Sequence, residues 1–90
     1  MHGNESYTLV YASEAVQDIK NLDGSVKQLI KRNMEDRLAT DPIGFGKPLR
    51  YSLYGHRRLR VGHYRIVYRI EPKVREVIIL AIKHRKDIYE

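Results

Sequence analysis

The residues of greatest chemical interest are basic, and they are clustered. Between Pro42 and Ile70 stand seven Lys or Arg (Lys47, Arg50, Arg57, Arg58, Arg60, Arg65 and Arg69) and no Asp or Glu. The rest of the chain holds ten Lys or Arg against eleven acids, so the formal charge of +6 belongs to this segment. A cationic excess confined to one stretch is the footprint of a polyanion partner, with RNA or DNA first. No paired carboxylates, Ser/His/Asp set or metal-ligand spacing accompanies it. A reaction on this surface therefore needs a substrate that brings its own nucleophile. RNA does: its 2′-OH attacks the adjacent phosphate, while Arg or Lys holds the strand in line and stabilises the added negative charge. His56, His84 and Tyr89 are the titratable groups placed to move protons there.

The elements that position these residues follow from the patterning. Gly55 to Ile70 reads as a β-hairpin, two strand-forming runs broken at Gly62-His63. Before it, Tyr7 to Tyr11 is a β-branched and aromatic first strand. Ser13 is expected to cap a helix with Glu14 in its first turn and an apolar stripe of Val16, Ile19 and Leu22. Asp23-Gly24 ends it, with Gly24 in the left-handed position. Ser25 is expected to cap a second helix with Val26, Leu29, Ile30, Met34 and Leu38 on its apolar side, stopped by Asp41-Pro42. Ile43 to Leu49 reads as a loop; its Gly-Lys lacks the spacing of a phosphate-binding P-loop. After the hairpin, Glu71-Pro72-Lys73 turns into a last strand, Arg75 to Lys83. The expected fold is α+β in the order β-α-α-β-β-β, a helical hairpin packed on a largely antiparallel four-stranded sheet.

Strand side chains alternate between faces. With a simple register, the face left open by the helices displays Arg58, Arg60, Arg65, Lys83 and Arg85 together. A lone Arg on a strand is ordinarily part of a solvated face or a guarded sheet edge. This group differs because no acid is near in sequence and the members converge from three strands.

Residues 1–90 make one domain, 42% hydrophobic and 31% charged, which is a globular balance. The lack of Cys excludes disulfides and thiolate zinc sites and suits a reducing compartment. The N-terminus has no apolar signal segment, and the longest apolar run, Val77 to Ile82, is too short to cross a bilayer. A cytoplasmic location with no membrane partner is expected, and no cofactor or metal.

Several ordered motifs resemble the RelE/ParE superfamily of bacterial toxins. They are Asp41-Pro42, Gly46-Lys47-Pro48-Leu49-Arg50, Leu59 to Ile70 with its Tyr64-Arg65-Ile66-Val67-Tyr68 core, and Ala81 to Tyr89 with its His84-Arg85-Lys86-Asp87-Ile88-Tyr89 end. The likeness covers almost the whole chain. It implies the toxin of a type II toxin–antitoxin system, with the RelE-like fold of a microbial ribonuclease. In the RelE branch it implies metal-independent cleavage of mRNA in the ribosomal A site, which inhibits translation. Arg65 then matches the phosphate-stabilising arginine and Tyr89 the C-terminal tyrosine that orients or stacks on substrate. The arginine at the end of the last strand matches Lys83 or Arg85. Arg58 and His56 fall where well-known members carry lysines. Arg stays protonated and is a poor base, so His56 or His84 would take that role. Lys47, Arg50, Arg57, Arg60 and Arg69 are expected to hold RNA.

Two alternatives remain: a ParE-like inhibitor of DNA gyrase without nuclease activity, and a non-catalytic basic module that binds nucleic acid. Either toxin reading implies a cognate antitoxin. Its acidic or amphipathic segment would cover the basic face, and the antitoxin itself would be dimeric and DNA-binding. Free toxin would be a monomer, and the complex hetero-oligomeric.

Overall fold

The computed structural model describes residues 6–87. The chain runs β1 (Thr8–Tyr11), α1 (Ser13–Lys20), α2 (Gly24–Asn33), α3 (Pro42–Phe45), β2 (Lys47–Pro48), β3 (Arg57–Val61), β4 (Tyr64–Glu71) and β5 (Glu76–His84). A π-helical turn, Met34–Leu38, continues α2, and a 3-10 turn, Arg85–Asp87, follows β5. The sheet order is β1-β5-β4-β3-β2. β1 lies parallel to β5; the other neighbours are antiparallel. The α+β class is as expected, with five strands instead of four.

The extra strand comes from the stretch expected to be loop. Asp41 caps α3, its Oδ1 accepting from the Gly44 N–H at 3.0 Å. Pro42 occupies the first turn, where a missing N–H costs nothing. Asp41-Pro42 thus starts a short helix as well as ending a long one. The chain then pairs Lys47 with Arg58 and Pro48 with Arg57.

The helix ends also differ from expectation. Ser13 is the first residue of α1 and Ala12 its cap, with no side-chain bond. Asn21 and Leu22 donate back to the carbonyls of Asp18 and Ile19 at 3.2 and 3.1 Å. This tight last turn ends α1 without a left-handed residue. Gly24 is therefore free to open α2, with Asp23 as its extended cap and Ser25 in the first turn.

The helices contribute Ala15, Ile30, Met34 and Leu38 to the core. One sheet face contributes Leu59, Val61, Ile66, Tyr68, Val77, Ile79 and Ile82. Tyr68 is fully buried, and its hydroxyl donates to the Pro42 carbonyl at 2.5 Å. A Cβ on Gly46 would overlap that hydroxyl and come within 2.8 Å of the Arg58 carbonyl. Glycine is required there by close approach, not by backbone angle.

β5 carries a bulge. Val67 pairs with Ala81 but Tyr68 with Ile79, so Leu80 is the extra residue. The bulge reverses the facing of everything after it. Val77 and Ile79, which simple alternation would put on the same side as Lys83, lie before the bulge and are buried in the core. Ile82, expected to share a side with Ile78, is buried with them. Beyond the bulge Lys83 is the strand partner of Arg65, but its ammonium does not join the arginines of the open face; it reaches Glu14 and Asp18 of α1.

Candidate nucleic-acid interface

The β3–β4 hairpin closes at Gly62, whose φ of +59° suits glycine. The register sets Arg60 directly opposite Arg65, one step from the closing pair Val61 and Tyr64. Both arginines have the opposite parity to Leu59, Val61 and Ile66, which are buried, so both stand on the open face. Two neighbouring depressions form around them. The first, about 170 Å³, is lined by Arg60, Gly62, His63, Tyr64, Arg65 and Arg85. The second, about 290 Å³, is lined by Pro48, Leu49, Arg50, Arg58, Arg60 and Arg65. Arg60 and Arg65 are common to both, and no acidic side chain lines either. Arg85 reaches the first because its backbone N–H donates to the His63 carbonyl at 2.7 Å, pinning the 3-10 turn to the hairpin end.

Chemically this is a cationic cleft whose floor is arginine. Guanidinium groups offer forked N–H donors that match phosphate oxygens and keep their charge at any ordinary pH. Extra negative charge developing on a phosphate held here would be stabilised by three side chains from three segments.

The other expected site residues go to different places. The Arg57 guanidinium turns toward α3: Nη2 donates to the carbonyls of Ile43 and Gly46 at 2.9 and 3.1 Å, and Nε to the Tyr68 hydroxyl at 3.5 Å. It is a strut, not part of the cleft. Arg69 forms an ion pair with Glu71. The Lys83 ammonium reaches Glu14 and Asp18 of α1 at 2.9 and 3.0 Å. Those two carboxylates raise its pKa and hold the ammonium toward α1. Asp18 also accepts from the Ile82 N–H at 2.8 Å, where β5 runs past the end of β1. Of the two matches for the last-strand arginine, Arg85 is the one in the cleft. Lys47 is exposed beside Arg58 on β2 but lines neither depression.

His84 lines a third depression with Tyr64, Lys83 and Asp87. Its Nδ1 accepts from the Lys86 N–H at 3.1 Å, which leaves Nε2 for proton exchange. The Tyr64 ring meets it edge-on, centroids 5.0 Å apart. His56 stands at the start of β3, half-buried, with its N–H bound to Ser52 Oγ at 3.0 Å. Tyr89 lies outside the described residues.

Sequence reasoning missed His63 and Tyr64 as cleft residues. His63 reads as an ordinary turn histidine, and Tyr64 as core by strand parity. The available signal was their place beside the turn, where the tail of a following strand must pass. Among the described residues no group of three His, Cys, Asp or Glu could hold a metal ion, and no helix is long and apolar enough to cross a membrane.

Comparison with known proteins agrees with this architecture. Residues 9–89 match the family model described as the ParE toxin of the type II toxin–antitoxin system parDE. The chain is 35% identical over 83 residues to Toxin RelG of Mycobacterium tuberculosis, covering 92% of this chain and 95% of the relative. It is 29% identical over 89 residues to Toxin RelE of the same organism, covering 99% and 92%. Among solved structures, a chain of the RelBE2 toxin–antitoxin complex of Mycobacterium tuberculosis superposes with a TM-score of 0.82 at 32% identity, covering 89% of this chain and 99% of that one. The isolated E. coli RelE toxin, at 20% identity, has the same fold, with a TM-score of 0.74 over 88% and 84% of the two chains. With a family match over nearly its whole length and relatives of equal size, this chain belongs to the ParE toxin family, within the RelE/ParE superfamily of type II toxin–antitoxin toxins.

Proposed function

We propose that this toxin is an mRNA endoribonuclease of the RelE kind, acting on message held in the ribosomal A site. The observation that carries the reading is the convergence of Arg60, Arg65 and Arg85 on one depression at the hairpin end. A phosphodiester seated there has its nonbridging oxygens on guanidinium groups. The 2′-oxygen attacks phosphorus, the bond to the 5′-oxygen breaks, one proton leaves the 2′-OH and one reaches the 5′-oxygen. The products are a cyclic phosphate and a 5′-hydroxyl. Arg65 and Arg85 stabilise the charge of the phosphorane, and Arg58 and Arg50 hold the adjoining phosphate. Proton transfer falls to the histidine pair at this end of the hairpin: His63 lines the depression, and the His84 ring, held at one nitrogen, lies 5.9 Å from it.

The partner that restrains this activity is an antitoxin, as in the RelBE2 complex that this chain resembles. An acidic segment would neutralise the cleft. The apolar groove between α1 and α2, lined by Tyr11, Ile19, Leu22, Ile30 and Met34, suits an amphipathic helix.

The test is induced expression in bacteria with primer extension on a reporter mRNA, wild type beside Arg65→Ala. Cuts phased with codons that vanish in the variant support the reading. The family match to ParE favours a second reading, inhibition of DNA gyrase without RNA cleavage. Growth arrest with intact mRNA and DNA damage would move the assignment there.

A further inference from the structure

The β2–β3 connection, Leu49 to His56, carries the three most exposed large hydrophobic side chains among the described residues. Tyr51, Leu53 and Tyr54 are 90%, 92% and 81% exposed. The loop is nevertheless built. Leu49 N–H donates to the His56 carbonyl at 2.8 Å, closing its ends. Ser52 Oγ accepts from the N–H groups of His56 and Tyr54 at 3.0 and 3.4 Å. Ser52 faces in while its neighbours face out. Tyr51 is held at a φ of +66°, a region bulky residues avoid. The Tyr54 ring lies 5.8 Å from that of His56.

What covers such a surface is indicated by its neighbours. Arg50 immediately precedes Tyr51 and lines the second cationic depression with Arg58, Arg60 and Arg65. No acid occurs from Pro42 to Ile70. Exposed rings rooted beside a track of guanidinium groups are the two halves of single-strand recognition: phosphates on the cations, unpaired bases on the rings. We propose that Tyr51 and Tyr54 form a stacking platform for unpaired bases of the RNA strand whose phosphates lie on Arg58, Arg60 and Arg65. The platform rests on the nuclease reading, since that strand is the substrate. It adds a base-contacting surface on the far side of the cleft from the Arg85 tail, and with it a source of preference for the flanking nucleotides.

The test compares wild type, Tyr51→Phe/Tyr54→Phe and Tyr51→Leu/Tyr54→Leu. The Phe pair keeps the rings; the Leu pair keeps apolar bulk without them. The probe is a short 2′-O-methyl RNA oligonucleotide carrying 2-aminopurine, titrated at several salt concentrations. Wild type and the Phe pair should bind alike and quench the fluorophore. The Leu pair should bind about tenfold more weakly, with quenching lost, an unchanged thermal midpoint and an unchanged salt dependence, because the phosphate contacts remain. Equal binding by the Leu pair overturns the platform and leaves the nuclease reading standing. A weakened salt dependence in the Leu pair also overturns it, because the loss then traces to the arginines. An oligonucleotide bound by none of the three proteins overturns the platform alone, because the nuclease reading concerns message held in the ribosome and stands or falls on the primer-extension test.

Discussion

The backbone N–H of Arg85 donates to the carbonyl oxygen of His63 at 2.7 Å, tying the tail of β5 to the turn of the β3–β4 hairpin. The side chain of Arg85 is in the cleft because of this bond, not because of strand register. The turn in question depends on Gly62 at a φ of +59°. Gly62→Ala should cost about 1–2 kcal/mol through left-handed strain. It should also lower mRNA cleavage at temperatures where the protein is still folded. Urea melts beside primer extension read both effects.

Arg60 and Arg65 face each other across the hairpin. Like charges directly opposite on a sheet cost roughly 0.2–1 kcal/mol. Arg60→Thr should therefore stabilise the protein slightly while weakening strand binding. The slope of log affinity against log salt should fall by about one phosphate contact. A variant that loses stability and keeps its affinity would show that Arg60 is structural.

Arg57 should behave in the opposite way. Its donors satisfy the carbonyls of Ile43 and Gly46 and the Tyr68 hydroxyl. Arg57→Ala should cost about 1 kcal/mol, chiefly through the Gly46 carbonyl, since the Ile43 carbonyl can turn to water and the Tyr68 hydroxyl keeps its bond to Pro42. The strand affinity of the folded fraction should be unchanged. Chemical denaturation and oligonucleotide binding on one sample separate the two.

Stability should decline at alkaline pH. Burial pushes the Tyr68 hydroxyl above its ordinary value of 10.0, and hydrogen bonds to Glu14 and Asp18 raise Lys83 above 10.5. In both cases the folded state holds its proton more tightly than the unfolded chain. The stabilisation is complete below about pH 10 and is lost as pH climbs through the folded values. Tyr68→Phe should flatten the tyrosine part of that decline while lowering stability at neutral pH through the lost bond to Pro42. Melts between neutral pH and the alkaline limit provide the check.

Much of this was legible in the residues. The hairpin from Arg57 to Glu71 and its turn at Gly62 follow from alternation and one glycine. So does the shared face of Arg58, Arg60 and Arg65. The bulge at Leu80 was not legible, because Val77 to Ile82 is apolar throughout and offers no alternation to interrupt. Nor was the fate of Arg57, which alternation alone puts on the core side, although a run of three basic residues in four suggests one purpose. The Lys83 ion pairs bring α1 and β5 together across more than sixty positions of sequence, a distance that no local pattern spans.

The parallel pairing of β1 with β5 has a consequence for when the toxin becomes toxic. Thr8 to Tyr11 take their strand partners from Glu76 to Ile79. The first strand made is thus completed by the last. A chain still under synthesis, or cut short before residue 76, has no sheet edge on which to seat its opening segment, and lacks Arg85 as well. Long-range closure of this kind is slow to form. Until β5 is made the cleft is incomplete, and that delay gives a cognate antitoxin its interval to engage.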